Sequence, residues 1–313
     1  MINFYNKFKI FFKRPGQYFR YKSKFLRNFY FHFSKFFHFK TYYSRVHIKN
    51  FRKLKANTSD LIDRNEGYKL ITHTKLNEKD TNINQVLEKI NHYLKNINYN
   101  KINSSDDGII SLKSSKDFNC ESPELKFVTN KYLIEIVSRY LNCIPLLTNL
   151  SLWYSPNDKV FENSSQEYHL DHEDYRQVKG FLFINDIDLQ TGPLNIINVL
   201  QSNQIQNFIN YKLTKSEKRV HDPIIKDLKK NHIDINENIM IGKSGDLLLC
   251  DTSSCFHFGS RLGSKPRFIL AFQFITPFGF SMDWNWRNYD KLPFKDLNCN
   301  IDPLIMKVLG NKT

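Results

Sequence analysis

SSQEYHLDHEDYRQVKGFLFINDIDLQTGPLNII, residues 164–197, is the stretch that decides the fold. Its centre, 177–185, is apolar and carries aromatic and β-branched residues, so it reads as a buried strand. Asp186–Asp188 and then Thr191-Gly192-Pro193 punctuate a turn after it. Just before it stand His169 and Asp171, in Tyr168-His169-Leu170-Asp171. Downstream, Gly245-Asp246 opens a second apolar strand, LLLCD, and His257 follows within a short loop. A third strand, PRFILAFQFITP, has Arg267 at its start. The polar candidates thus fall at strand ends, where a rigid scaffold can aim them at one point.

These four residues make chemical sense together. Two neutral imidazoles and one carboxylate hold iron(II) by one face and leave the opposite positions open. An arginine fixed at the start of a strand can grip the far carboxylate of a dicarboxylic co-substrate, because its planar fork binds a carboxylate bidentately. A lone His-x-Asp is a weak signal in a chain with 10 His and 31 acidic residues. For such a triplet the plain reading is a strand histidine and a turn aspartate beside His172, Glu173 and Asp174. The distal His257, Arg267 and both turns, in this order, shift the balance toward a site.

Segments 148–200 and 240–277 resemble the phytanoyl-CoA dioxygenase family of iron(II)/2-oxoglutarate-dependent oxygenases. The matching features are His-x-Asp, the Gly-Pro-Leu turn, Gly-Asp before a strand, His257 and Arg267. Tyr154 in LSLWYS and Lys179 in RQVKGFLFIND also sit where relatives carry similar text. The resemblance implies a double-stranded β-helix (jelly roll), mainly β with flanking helices. It implies metal ligands His169, Asp171 and His257, which are also the catalytic set. It places 2-oxoglutarate on Arg267, helped by Lys179 or Tyr154, with Fe(II), 2-oxoglutarate and O2 as cofactor, co-substrate and oxidant. A carboxylate at Asp171 favours hydroxylation, since related halogenases lack it. One departure concerns Ile196-Ile197-Asn198-Val199-Leu200-Gln201, where relatives carry a Pro-Gly-Ser-His-like loop that shapes the substrate pocket. The substrate therefore does not carry over.

Charge divides the chain. The formal net charge is +15, and residues 1–55 hold ten Lys, five Arg and no Asp or Glu, which is the whole surplus. The body is neutral. Residues 1–55 also contain 19 Phe or Tyr. In KSKFLRNFYFHFSKFFHFK, residues Phe25, Leu26, Phe29, Tyr30, Phe33, Phe36 and Phe37 recur at three and four, with Lys22, Lys24, Lys35 and Arg27 elsewhere. An aromatic face on a cationic helix suits an anionic membrane surface. The same face could instead lie on the body, bind single-stranded nucleic acid, or act as a targeting segment. Phe29, Phe31 and Phe33 also alternate, so a strand stays open.

The domain reading is a basic aromatic N-terminal extension over 1–58, then a jelly-roll oxygenase domain over 59–313. Helices spanning 80–142 brace it, and 201–236 is a lysine-rich insertion holding His221 and His232. Helices are predicted over 82–97, where His92 is a surface residue, and over 124–141. Trp284 and Trp286 read as packing residues. The five cysteines, Cys120, Cys143, Cys250, Cys255 and Cys299, are odd in number and scattered, which points away from a disulfide framework and toward a reducing compartment. No run of 18 apolar residues or signal-like amino terminus is present, so a cytoplasmic location is expected, with peripheral membrane contact through residues 1–55.

The expected function is an iron(II)/2-oxoglutarate-dependent dioxygenase hydroxylating a small-molecule, lipid or glycan-linked substrate. Two alternatives remain. One is a nucleic-acid oxidative demethylase of the same superfold, suggested by the pair Arg261 and Arg267, although the neutral body makes nucleic acid a poor partner. The other is an inactive jelly-roll binding protein at a membrane surface.

Overall fold

The computed structural model describes residues 15–20, 24–46, 58–99, 108–157, 166–208, 230, 235–259, 263–280, 292–297 and 302–311. The expectations for Arg261, His221, His232, Trp284, Trp286 and Cys299 lie outside them.

Three helices come first: α1 (Pro15–Arg20), α2 (Lys24–Phe37) and α3 (Phe39–Val46). Strand β1 (Tyr68–Ile71), α4 (His73–Glu78), α5 (Ile83–Lys95) and β2 (Ile110–Lys113) follow. Helix α5 buries Ile83, Val86 and Ile90, three and four residues apart. The helix expected over 124–141 is two helices, α6 (Pro123–Val128) and α7 (Lys131–Leu141). Local polar bonds cause the break. Thr129 Oγ1 donates to Leu125 O at 2.7 Å, and Asn130, in extended backbone, caps α7 by accepting from Tyr132 N at 2.9 Å. Helix α7 then buries Leu133, Ile136, Val137 and Tyr140.

The remaining strands are β3 (Leu146–Ser155), β4 (Gln177–Phe183), β5 (Leu194–Ile196), β6 (Asn238–Met240), β7 (Leu247–Cys250), β8 (His257–Phe258) and β9 (Arg267–Ile275). Helix α8 (Val199–Phe208) lies between β5 and β6, and α9 (Pro303–Leu309) comes last. The strands form two antiparallel sheets, ordered β1-β7-β4-β9-β3-β2 and β6-β5-β8. A bridge from His169 to His257 extends the smaller sheet. From β3 onward the chain passes back and forth between the sheets, which is the winding of a jelly roll. Helices cover more of the described residues than strands do, so "mainly β" describes the core and not the chain.

Period-two alternation splits the large sheet. On one face Leu150, Leu152, Val178, Leu182, Leu247, Leu249, Leu270 and Phe272 join the main core beneath the helices. On the other, Trp153, Phe181, Phe183, Leu248, Ile269 and Ala271 meet Ile196 and Met240 of the small sheet.

The amino-terminal helices rest on the body. Helix α2 buries Arg27, Tyr30, Phe31 and Ser34. Tyr30 stacks on Phe280, and Phe31 on Tyr175. Arg45 of α3 donates to Ile144 O, Pro145 O and Lys307 O. Of the expected aromatic face only Tyr30 turns inward, while Phe25 and Phe36 are each 76% exposed. Among the described residues no helix is long and apolar enough to cross a membrane. Cys143, Cys250 and Cys255 are free and buried, but Cys120 is disulfide-bonded.

Candidate metal centre

His169 and Asp171 are two apart in an extended segment, so their side chains share one face. Buried Tyr168 fixes the segment: its hydroxyl donates to Glu237 at 2.7 Å, and its ring meets Phe258 edge-on. His169 N donates to His257 O, and Asp171 N donates to Thr252 O at 2.8 Å. The two histidine rings come to rest 4.3 Å apart, centre to centre. One ligand atom from each of His169, Asp171 and His257 lies within 4.8 Å of the others.

The protonation pattern suits a cation. His169 Nδ1 is 2.8 Å from Glu167 O, and His257 Nδ1 is 3.0 Å from Cys255 O. A carbonyl oxygen can only accept, so each Nδ1 carries the proton and each Nε2 keeps its lone pair. Both Nε2 atoms face Asp171, at 4.0 Å and 3.8 Å. Such bonds orient imidazole ligands in metal sites. Two nitrogens and a carboxylate oxygen at this spacing fit a divalent first-row metal ion bound on one face.

Lys179 points at the same carboxylate, its Nζ 2.7 Å from Asp171 Oδ2. Gln177 Nε2 donates to that oxygen at 3.2 Å and to Thr252 Oγ1 at 2.8 Å. Burial alone would raise the Asp171 pKa, but the Lys179 ammonium, joined by the two imidazoles when they are protonated at low pH, outweighs it and holds the carboxyl well below the usual range. Burial likewise works against charge on Lys179, and Asp171 and Glu173 reverse it.

His169, His257, Lys179 and Arg267 line one cleft of about 630 Å³, open to solvent. Its remaining wall is largely apolar and includes Ile109, Trp153, Phe181, Phe183, Ile187, Leu194 and Ile269. Arg267 is 7% exposed, and burial pulls its pKa down to about 10. It donates to Gly192 O at 2.6 Å and to Ser155 Oγ at 3.4 Å. Gly192 has φ +65°, the left-handed region that glycine adopts without strain, and this turn presents the carbonyl to the guanidinium.

The cleft therefore gathers four of the six residues singled out in the sequence, His169, His257, Lys179 and Arg267, and Asp171 lies against three of them. Tyr154 is elsewhere. Its neighbour Trp153 lines the cleft, so Tyr154 faces the opposite side of β3 and stacks on Phe268 at 5.0 Å, with Tyr99 against both. Gln177, which braces Asp171, was missed, although it lies two residues before Lys179 and shares its side of the strand.

No protein-family model matches the chain, and neither does any curated protein. Solved structures do show likeness. The non-heme alpha-ketoglutarate-dependent epimerase SnoN from nogalamycin biosynthesis is 11% identical, over 68% of this chain and 80% of its own, with a TM-score of 0.47. EctD from S. alaskensis, solved with 2-oxoglutarate and 5-hydroxyectoine, is 14% identical over 72% and 82%, with a TM-score of 0.47. HygX from Streptomyces hygroscopicus, with nickel and 2-oxoglutarate bound, is 12% identical over 69% and 88%, with a TM-score of 0.43. Likeness this distant leaves the functional reading to the side chains of the cleft.

Proposed function

We propose that this chain is an iron(II)/2-oxoglutarate-dependent dioxygenase that hydroxylates a small-molecule, lipid or glycan-linked substrate. One observation carries the reading: His169, Asp171 and His257 converge within 4.8 Å on a cleft that also holds the buried cation Arg267. His169, Asp171 and His257 would hold the metal by one face. Arg267 would take the distal carboxylate of 2-oxoglutarate, where low polarity strengthens a bidentate pair. Lys179 would brace Asp171 or turn to the co-substrate. Bound iron with 2-oxoglutarate and dioxygen supplies the chemistry that converts C–H to C–OH and leaves succinate and carbon dioxide. The apolar wall formed by Trp153, Phe181, Phe183 and Ile269 would keep bulk water out and receive the unreactive part of the substrate.

The test needs no knowledge of that substrate. Protein loaded anaerobically with iron(II) is given 2-oxoglutarate, then air. A visible charge-transfer band before air and succinate after it are expected, with both lost in Asp171→Ala. Neither signal above that variant would refute the assignment.

A second reading concerns the amino-terminal helices. Phe25, Phe29, Phe33, Phe36 and Phe37 of α2, with Phe39 and Tyr43 of α3, all point outward in a segment without acidic residues. We infer that this face meets an anionic membrane surface. Flotation with anionic vesicles, reduced when Phe25 and Phe36 become Ser, tests it. Equal flotation of the variant would end it.

A further inference from the structure

A second cleft, of about 470 Å³ including its open part, lies where α2 meets the body. It shares no lining residue with the metal cleft. Four cationic side chains line it: Lys24, Arg27, Arg64 and Arg176. They come from three separate segments, so the fold brings them together. No carboxylate is among its described lining residues.

The hydrogen-bond partners of Arg64 and Lys24, and one partner of Arg27, are neutral. Arg27 is buried, donates to Asp174 O at 3.2 Å and lies over the Phe280 ring. Arg64 donates to Arg139 O and Asn142 Oδ1 and faces the Tyr140 ring. Lys24 donates to Asn203 Oδ1. Arg176 is half-buried and makes no hydrogen bond or ion pair among the described residues. Two acids adjoin the lining residues without lining the cleft, and both are fully buried and engaged: Asp251 accepts from Tyr140 Oη, Ser253 Oγ and Gln177 N, and the Asp174 carboxylate accepts from Tyr175 N and Thr276 N.

Like charges gathered this way repel. Burial and then Arg27 and Arg176 lower the Lys24 pKa, and burial and then Arg176 lower that of Arg64. Such a cluster invites an anion with several acceptor oxygens and more than one negative charge. We propose that this cleft binds a phosphate-class oxyanion, either a soluble phosphate ester or the phosphate of a lipid headgroup. Arg176 and Arg27 would grip it from inside, Lys24 and Arg64 from the rim, with the Gln206 amide alongside.

A bound phosphate would tie α2 to the two segments that support the metal ligands. Arg176 follows Asp171 closely in sequence, and Ser253 and Ser254 adjoin Thr252, whose carbonyl accepts from Asp171 N. Occupancy should therefore stabilise the full chain without competing with 2-oxoglutarate.

Inorganic phosphate titrated into the full-length, metal-loaded protein by calorimetry tests the proposal, with thermal melting in parallel. One saturable site per chain and a raised melting temperature are expected. Arg176→Gln and Lys24→Gln should each weaken binding by about tenfold, while Arg267→Ala should leave it unchanged. Vesicles containing phosphatidate, floated with and without inorganic phosphate, distinguish the sources. Flotation suppressed by phosphate assigns a lipid headgroup, and flotation that is absent or unaffected assigns a soluble phosphate. Absence of saturable phosphate binding, or binding equally tight in both variants, would overturn the proposal.

Discussion

His169 and His257 are direct cross-strand partners: each donates its main-chain N–H to the other's carbonyl, at 3.1 and 3.2 Å. The pairing that closes the small sheet therefore also sets the spacing of two candidate ligands. Main-chain bonds do not depend on the side chains, so His257→Ala should keep the fold. Binding of iron(II) or a surrogate divalent ion should fall by about 100-fold or more, at or above the top of the range seen when a residue that only orients a ligand is lost. Titration of the variant, with circular dichroism as the folding control, checks this. Metal affinity within threefold of wild type would remove His257 from the site.

Lys179 gives a sharper test, because a cation 2.7 Å from Asp171 competes with a metal for the same oxygen. Lys179→Met should leave metal affinity equal or higher. If the lysine turns to the co-substrate once metal is bound, 2-oxoglutarate binding should weaken by several-fold in the same variant. A drop in metal affinity would instead mean that Lys179 serves to hold Asp171 in place.

Arg267 should behave oppositely to the ligands. Arg267→Ala should weaken 2-oxoglutarate binding by about tenfold or more while iron binding stays near wild type. Arg267→Lys should recover only part of the loss, since an ammonium lacks the planar fork. Unchanged co-substrate affinity in Arg267→Ala would disprove the anchor.

Gly180 makes a prediction about stability. It sits in β4 between Lys179 and Phe181, and a Cβ there would come within 2.0 Å of the Phe272 ring. Gly180→Ala should cost roughly 1–3 kcal/mol, the usual range for overpacking. Denaturant unfolding measures it. Gly180→Ala together with Phe272→Leu should recover part of the loss if the ring is the cause.

The sheet core was legible because 177–185, LLLCD and PRFILAFQFITP are apolar runs bounded by turn residues, and these became β4, β7 and β9. The grouping of His169, Asp171, His257 and Arg267 was read from their order and their places at strand ends, whereas Lys179, inside β4, came only from the family resemblance. Tyr154 lies on the face of β3 away from the cleft, because adjacent strand residues face opposite ways and which of them faces in depends on a register that the pairing with β9 fixes. The break at Thr129-Asn130 was hidden because apolar periodicity continues across it while two side-chain bonds end one helix and start the next. The orientation of α2 was equally hidden. A helix with aromatics nearly all round has two candidate inner faces, and Arg27 and Ser34 lie on the one that is used.

Arg45 has a consequence for how the molecule is made. Its guanidinium binds Lys307 O, 262 residues away, and Lys307 Nζ returns a bond to Ser44 O. Helix α3 is therefore seated by a partner 262 residues further along the chain, and it cannot dock there until that partner has been synthesised. Contacts of such long sequence separation carry a large loop-closure cost, so the seating of α3 against α9 is expected to be a late step in folding.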